Sequence, residues 1–285
     1  MLYTSHPGSL GRMSGTVLRL PLLSRIVLRT LQRAFDEHLQ LAELSVLIAS
    51  DVVIANDVLA IVNSPAYAPR LPICNIHQAL AICGATQLQG LCVAVGVRHA
   101  MVDALRRPSM RKMWRHSLAC AAIAEQLAAT CSLDPGIAFT CGVLHDIGRV
   151  ALAVPRPEEY VEFLETYAGS PHGILEHERE AFGWDHCELG GQLVRDWELP
   201  AEFVPVVAGH HVSRPQENPW SMTDLIRVSC RMADAAGFAA FPACLPTPFE
   251  DLLRELPTRA RSLFFTDPRT LAFEIKRKLK AMQSL

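Results

Sequence analysis

The chain has 285 residues, half of them hydrophobic and a fifth charged, with 27 Lys and Arg against 29 Asp and Glu. That composition excludes general disorder, which needs low hydrophobicity and high net charge. A formal net charge of −2 gives no global attraction for nucleic acid, and the length admits one large domain or two modest ones.

Residues 1–18 open with MLYTSHPGSLGRMSG, which lacks the apolar core of a secretory signal and reads as a flexible tail. No apolar run approaches the roughly 18 residues of a membrane helix, because Glu125, Asp146 and similar residues interrupt each candidate. A soluble, cytoplasmic chain is expected. Residues 19–109 read as an N-terminal helical lobe. Leu28, Leu31, Ala34 and Phe35 recur at helical spacing, as do Leu41, Leu44, Leu47 and Ile48. Asn63-Ser64-Pro65 and the stretch from Pro69 to Pro72 break it. Leu91 to Val95 reads as buried helix rather than strand, given its long Ala- and Leu-rich surroundings.

A break at Pro108-Ser109 introduces a second helical lobe, residues 110–240. The C-terminal extension, 241–285, opens with Pro242, Pro246 and Pro248 and closes in a basic amphipathic helix from Leu271 to Met282. That helix should turn Leu271, Phe273, Ile275 and Leu279 inward, leaving Lys276, Arg277, Lys278 and Lys280 in solvent. Strand signals are scarce, so the predicted class is all-α. The nine cysteines are odd in number and form no C-x-x-C, which argues against a disulfide framework or a Cys-pair zinc site. They read as reduced core residues.

Chemistry concentrates in the histidines. His116, in Trp114-Arg115-His116-Ser117, opens a helix whose buried stripe includes Cys120, Ile123 and Leu127. His145-Asp146 ends a helix from Ala138 to Leu144, and Gly148 can stop that helix so that both side chains face one centre. Asp185 and Glu188 form a capping-box pattern that places His186 in a first turn, on the face of Leu189 and Leu193. His210 and His211 continue the helix of Phe203, Val206 and Val207, and Asp234 lies near the end of a helix from Ser221 to Gly237. Buried carboxylates need a cation or hydrogen-bond donors, and a divalent metal would satisfy Asp146, Asp234 and the imidazoles together.

Simpler roles stay open. His116 can be a neutral core histidine bonded to a carbonyl. Asp234 can pair with Arg231 or Arg227 on its own helix, and His186 can merely support an N-cap beside Gly190-Gly191. His77, His99, His172 and His177 fall outside the constellation. The basic cluster Arg106, Arg107, Arg111, Lys112 and Arg115 lacks interleaved aromatics, so it reads as a solvated face and nucleic acid is not an expected partner.

The order His116, His145-Asp146, Asp234 resembles the HD superfamily of metal-dependent phosphohydrolases. The surroundings are closer to its HDOD branch (HD-related output domain). These are Asn63-Ser64, the Trp114 to Ser117 segment, Val143 to Arg149, Phe182 to Gly190, Trp197-Glu198-Leu199-Pro200 and Gly209-His210-His211. The resemblance runs from Leu20 to Gly237. It implies a two-lobed helical fold, an N-terminal lobe plus an HD-like bundle. It also implies a bacterial signal-transduction regulator that binds a partner signalling protein or a small-molecule signal and lacks efficient hydrolysis.

The alternative it implies is a metal-dependent phosphohydrolase or cyclic-dinucleotide phosphodiesterase using Mn, Fe or Mg. His116, His145, Asp146 and Asp234 would then be the core metal ligands. His186, His210 and His211 match further metal-binding histidines of the related HD-GYP phosphodiesterases, and Arg149 would be a phosphate contact. Three departures weigh against that activity: Val212-Ser213-Arg214-Pro215 replaces the Gly-Tyr-Pro signature, Lys112 stands four residues before His116, where those enzymes carry an acidic ligand, and Arg149 replaces the Lys that follows the His-Asp-Ile-Gly segment, though it still offers a phosphate-binding fork.

Overall fold

The computed structural model describes residues 23–33, 36, 38–167, 173–212, 220–240, 246–264 and 267–283. The expected tail 1–18, together with Ala34, Phe35, His172, Ser213-Arg214-Pro215, Pro242 and Cys244, lies outside these. Every described element is helical. Ser24 caps α1 (Arg25–Gln32) by accepting from Val27 N–H. α2 (Leu41–Ala49) follows, and Asp51 caps α3 (Val52–Val62) through the N–H groups of Val53 and Ile54. Asn75 caps α4 (Ile76–Cys83), and Gly84, at φ +83°, turns the chain into α5 (Ala85–Ala100). From Leu88 to Val97 α5 is buried on all sides, which is why its sequence shows little amphipathic pattern.

α6 (Pro108–Cys131) starts with Pro108, whose missing N–H costs nothing in a first turn. Asp134 caps α7 (Pro135–Leu144), and α8 (Ile147–Ala153) follows after a break at His145-Asp146. The chain continues through α9 (Pro157–Tyr167), α10 (Ile174–Phe182), α11 (His186–Asp196) and α12 (Phe203–Gly209). α13 (Met222–Ala233) carries a capping box between Ser221 and Asp224 and ends in an irregular turn with Gly237 at φ +86°. The C-terminal extension holds α14 (Phe249–Glu255), α15 (Thr258–Leu263) and α16 (Pro268–Gln283).

The helices share one continuous apolar core. α5 packs against α1 and α3 on one side and α7 on the other, while α6 is flanked by α7 and α13. Small residues set these distances: a Cβ on Gly142 of α7 would lie 2.3 Å from Ala121 Cα on α6. α16 lies across α6 and also touches α3, and Lys278 reaches Glu125 of α6 at 2.6 Å.

Several expectations are corrected. α6 begins at Pro108, so His116 sits in mid-helix. Gly148 lies inside α8, and the interruption falls at His145-Asp146 instead. Phe273 does not pack inward; it is 67% exposed, while Leu271, Ile275 and Leu279 are buried as expected. One stretch, Pro135–Ala153, is long and apolar enough to cross a membrane by length and composition, contrary to the sequence reading, but all of it is buried inside the protein.

Asn63 clamps the loop between α3 and α4. Its side-chain amide donates to Leu59 O at 2.9 Å and Ile73 O at 2.8 Å, and its carbonyl accepts from Ile73 N–H at 2.8 Å. Asn63→Ala removes all three bonds and leaves the Ile73 peptide groups without that partner. A loss of about 1–3 kcal/mol in urea unfolding is expected; an unchanged midpoint would show that the clamp contributes nothing.

Candidate metal centre

Five helices deliver the site. His116 comes from the middle of α6, His145 and Asp146 from the break between α7 and α8, His186 from the first turn of α11, and His210 from the C-terminus of α12. All five side chains are buried. The α8–α11 contact that aligns them depends on Gly148, where a Cβ would lie 1.8 Å from His186 O and 2.8 Å from Gly190 N.

The outer nitrogens of the four rings are all committed. Nδ1 lies 2.8 Å from Gly142 O in His145, 3.0 Å from Val207 O in His210 and 3.1 Å from Phe238 O in His116. In His186 it lies 2.6 Å from Glu178 Oε2. Carbonyl and carboxylate oxygens accept here, so each ring donates from Nδ1, and in the neutral ring Nε2 is left to carry the lone pair. This is the arrangement in which a metal-binding histidine is held by its surroundings.

The Nε2 atoms of His145, His186 and His210 have no hydrogen-bond partner although they are buried. They surround the Asp146 carboxylate: His145 Nε2 lies 3.5 Å from Oδ2, and His186 Nε2 and His210 Nε2 each lie 3.5 Å from Oδ1. His116 Nε2 is 3.9 Å from Oδ2. Ligand atoms bound at about 2.1 Å to one tetrahedral ion lie roughly 3.4 Å apart. The spacing is therefore long for hydrogen bonds and suited to shared coordination. Among the described residues, three groups are able to hold a metal ion: His145, Asp146 and His210; His116, His145 and Cys230; and His186, Cys187, His210 and His211.

The electrostatics also call for a cation. Burial alone would raise the Asp146 carboxyl, but Arg149 and the surrounding imidazoles hold it well below the ordinary carboxylate range. Burial and Arg149 work against protonation of His186, yet Glu178 and Cys187 bring it to about 10. Burial likewise opposes protonation of His210, and Cys187 and Asp146 bring it to about 9. His145 is different: burial pushes it down to about 3, so it is neutral. The pocket thus holds positive charge as protons or as an ion.

Arg149, the expected phosphate contact, is engaged within the protein. It is 6% exposed and turned inward, donating from Nε to Asp146 Oδ1 at 2.9 Å and reaching Glu178 at 3.5 Å. Asp234 lies beside the outer edge of His116, 3.2 Å from Nδ1, rather than with the converging Nε2 atoms. The rival ion pair on its own helix is not formed by Arg227 and Arg231, which both bind Glu255. His186 is not a cap; Asp185 is, through the expected capping box. His211 stands solvent-exposed at the margin, its ring 4.3 Å from His210 and 5.0 Å from His186. Lys112, one turn before His116 on α6, is exposed.

Sequence reasoning missed Glu178, Cys187 and Cys230. Glu178 accepts from the Tyr160 hydroxyl at 2.8 Å and from His186 N–H at 2.9 Å. Its signal was available, since it falls four residues from both Ile174 and Phe182 and so places an acid on an apolar stripe. Cys187 Sγ lies 3.9 Å from His210 Nδ1, and Cys230 Sγ lies 3.4 Å from His116 Nε2. The signal lay in their neighbours: Cys187 directly follows His186, and Cys230 stands one helical turn before Asp234.

The family model for the HDOD domain matches residues 20–213. An uncharacterized protein of Treponema pallidum (strain Nichols) is 27% identical over 186 residues, covering 64% of this chain and 36% of that protein. Ribonuclease Y of Thermus thermophilus is 27% identical over 172 residues, covering 59% of this chain and 24% of that enzyme. The chain thus spans little more than a third of the first of these curated relatives and a quarter of the second. Among solved structures, an HDOD domain protein of unknown function from Geobacter sulfurreducens superposes with a TM-score of 0.69 at 21% identity, over 93% of each chain.

Proposed function

The chain belongs to the HDOD domain family, and on that premise we propose that it is a signal-transduction regulator whose buried histidine–aspartate cluster holds a divalent metal ion as a structural and regulatory centre. The observation that carries this reading is the convergence of bare Nε2 atoms on Asp146, each ring backed by an acceptor at Nδ1. An ion there ties α6, the α7–α8 break, α11 and α12 together. The body of the protein then presents a metal-stabilised surface to a partner protein or small signal. The division into lobes 19–109 and 110–240 with an extension at 241–285 goes with this proposal.

Efficient hydrolysis is not part of it. Arg149 is engaged by Asp146, and the cleft that reaches Asp146 between Val97, Met113, Trp114, Val143 and Val150 is narrow and apolar. One observation favours the second reading, a metal phosphohydrolase: the similarity to ribonuclease Y. In that case the ion would polarise a phosphoryl oxygen and activate water.

Elemental analysis of protein purified without chelator tests the metal. Stoichiometric metal is expected. Binding should release protons and tighten as pH rises from about 6 to 9, because His186 and His210 must give up their protons to bind. Protein that carries no metal, and gains none from added Zn(II), Mn(II) or Fe(II), would refute the proposal. Steady turnover of cyclic di-GMP or another phosphoester, abolished by Asp146→Ala, would establish the second reading instead.

A further inference from the structure

Resting on the metal reading, we infer that Cys230 is a ligand of the centre, and that Asp234 positions His116 without touching the ion. Cys230 and Asp234 lie one helical turn apart on the last turns of α13 and the irregular turn after it, so both approach His116, from opposite edges of its ring. Asp234 Oδ1 stands 3.2 Å from Nδ1, the edge that also faces Phe238 O. Cys230 Sγ stands 3.4 Å from Nε2, the edge that faces Asp146 and His145. Donor atoms of His116, His145 and Cys230 all lie within 4.8 Å of one another, and all three residues are buried. The Asp234 side chain is 35% exposed, turned partly toward solvent.

This geometry divides the labour between the two residues. Phe238 O takes the Nδ1 hydrogen bond and fixes the tautomer, while the Asp234 carboxylate beside it holds the ring's tilt and raises its basicity from behind, a supporting role well known for metal-bound histidines. The sulfur occupies the side on which the ion sits. A set of imidazoles, one carboxylate and one thiolate suits Zn(II) or Fe(II) and disfavours Mg(II), which prefers oxygen donors. Of the Mn, Fe and Mg expected from the sequence, Mg is the poorest match, and zinc joins the set.

Cobalt(II) loading of the full chain reads the sulfur directly, through its near-ultraviolet thiolate-to-cobalt charge-transfer absorption. The band is expected in the wild type, in Cys187→Ser and in Asp234→Asn, and lost in Cys230→Ser. Asp234→Asn should weaken Zn(II) affinity by about 10- to 100-fold, the usual effect of removing such a supporting group. Should Cys230→Ser not fold, zinc X-ray absorption of Cys187→Ser decides, with one sulfur expected at about 2.3 Å. Cobalt uptake by the wild type without the band, a band that survives Cys230→Ser, or a zinc shell without sulfur would each overturn the role of Cys230 while leaving the metal centre standing. No cobalt uptake at all would remove the centre itself.

Discussion

Gly148→Ala should destabilise the protein by about 3 kcal/mol or more, although the same change in an open helix usually gains up to ~1 kcal/mol. The methyl group has nowhere to go. Its nearest neighbours, His186 O at 1.8 Å and Gly190 N at 2.8 Å, are backbone atoms of α11 that no rotamer change can move aside. α8 and α11 must separate, carrying Asp146 and His186 apart. The melting temperature should fall by roughly 10 °C, and metal uptake should weaken with it. Gly209→Ala is the control, because its nearest contact is an ordinary 3.6 Å from a Thr223 methyl. A Gly148→Ala protein that melts at or above the wild-type temperature would show that the helices do not meet this closely.

The second large effect concerns the ion pair at the centre. Asp146→Ala should cost about 3–5 kcal/mol, because it leaves the Arg149 guanidinium buried beside a hole. Glu178, 3.5 Å from Arg149, compensates only part of that charge, since it is shared with Tyr160 and His186. Replacing both charges, as Asp146→Leu with Arg149→Met, should recover most of that loss while still abolishing metal binding. Urea unfolding of the two single variants and the double variant gives the coupling. If the double variant is no more stable than Asp146→Ala, the cost arises from Asp146 and the imidazoles and not from an abandoned arginine.

Much of this was legible from residue order. The helical periodicity of α2, the capping box at Asp185, the helix start at Ser221 and the termination near Gly237 follow from local chemistry that acts within one turn. The four histidines that converge were all identified, because an imidazole on an apolar stripe beside an acid is a local anomaly. The roles of Arg149 and Asp234 were not legible. Arg149 reads as a phosphate fork until Asp146, one turn before it, is seen to occupy its Nε. Asp234 reads as a ligand until its distance to Nδ1 places it behind the ring. Cys187, directly after His186, and Cys230, one turn before Asp234, were passed over because all the cysteines were read together as core residues.

By itself, then, the order of residues determined the all-helical class, most helix ends and the list of chemically able side chains, since each depends on neighbours within about four positions. Only the tertiary structure decided which edge of each imidazole faces the centre and which acid stands in front or behind. It also brought the Cys230 sulfur to 3.4 Å from His116 Nε2. Those outcomes depend on how closely α6, α8, α11 and α13 approach one another, a matter of contacts between residues far apart in the chain.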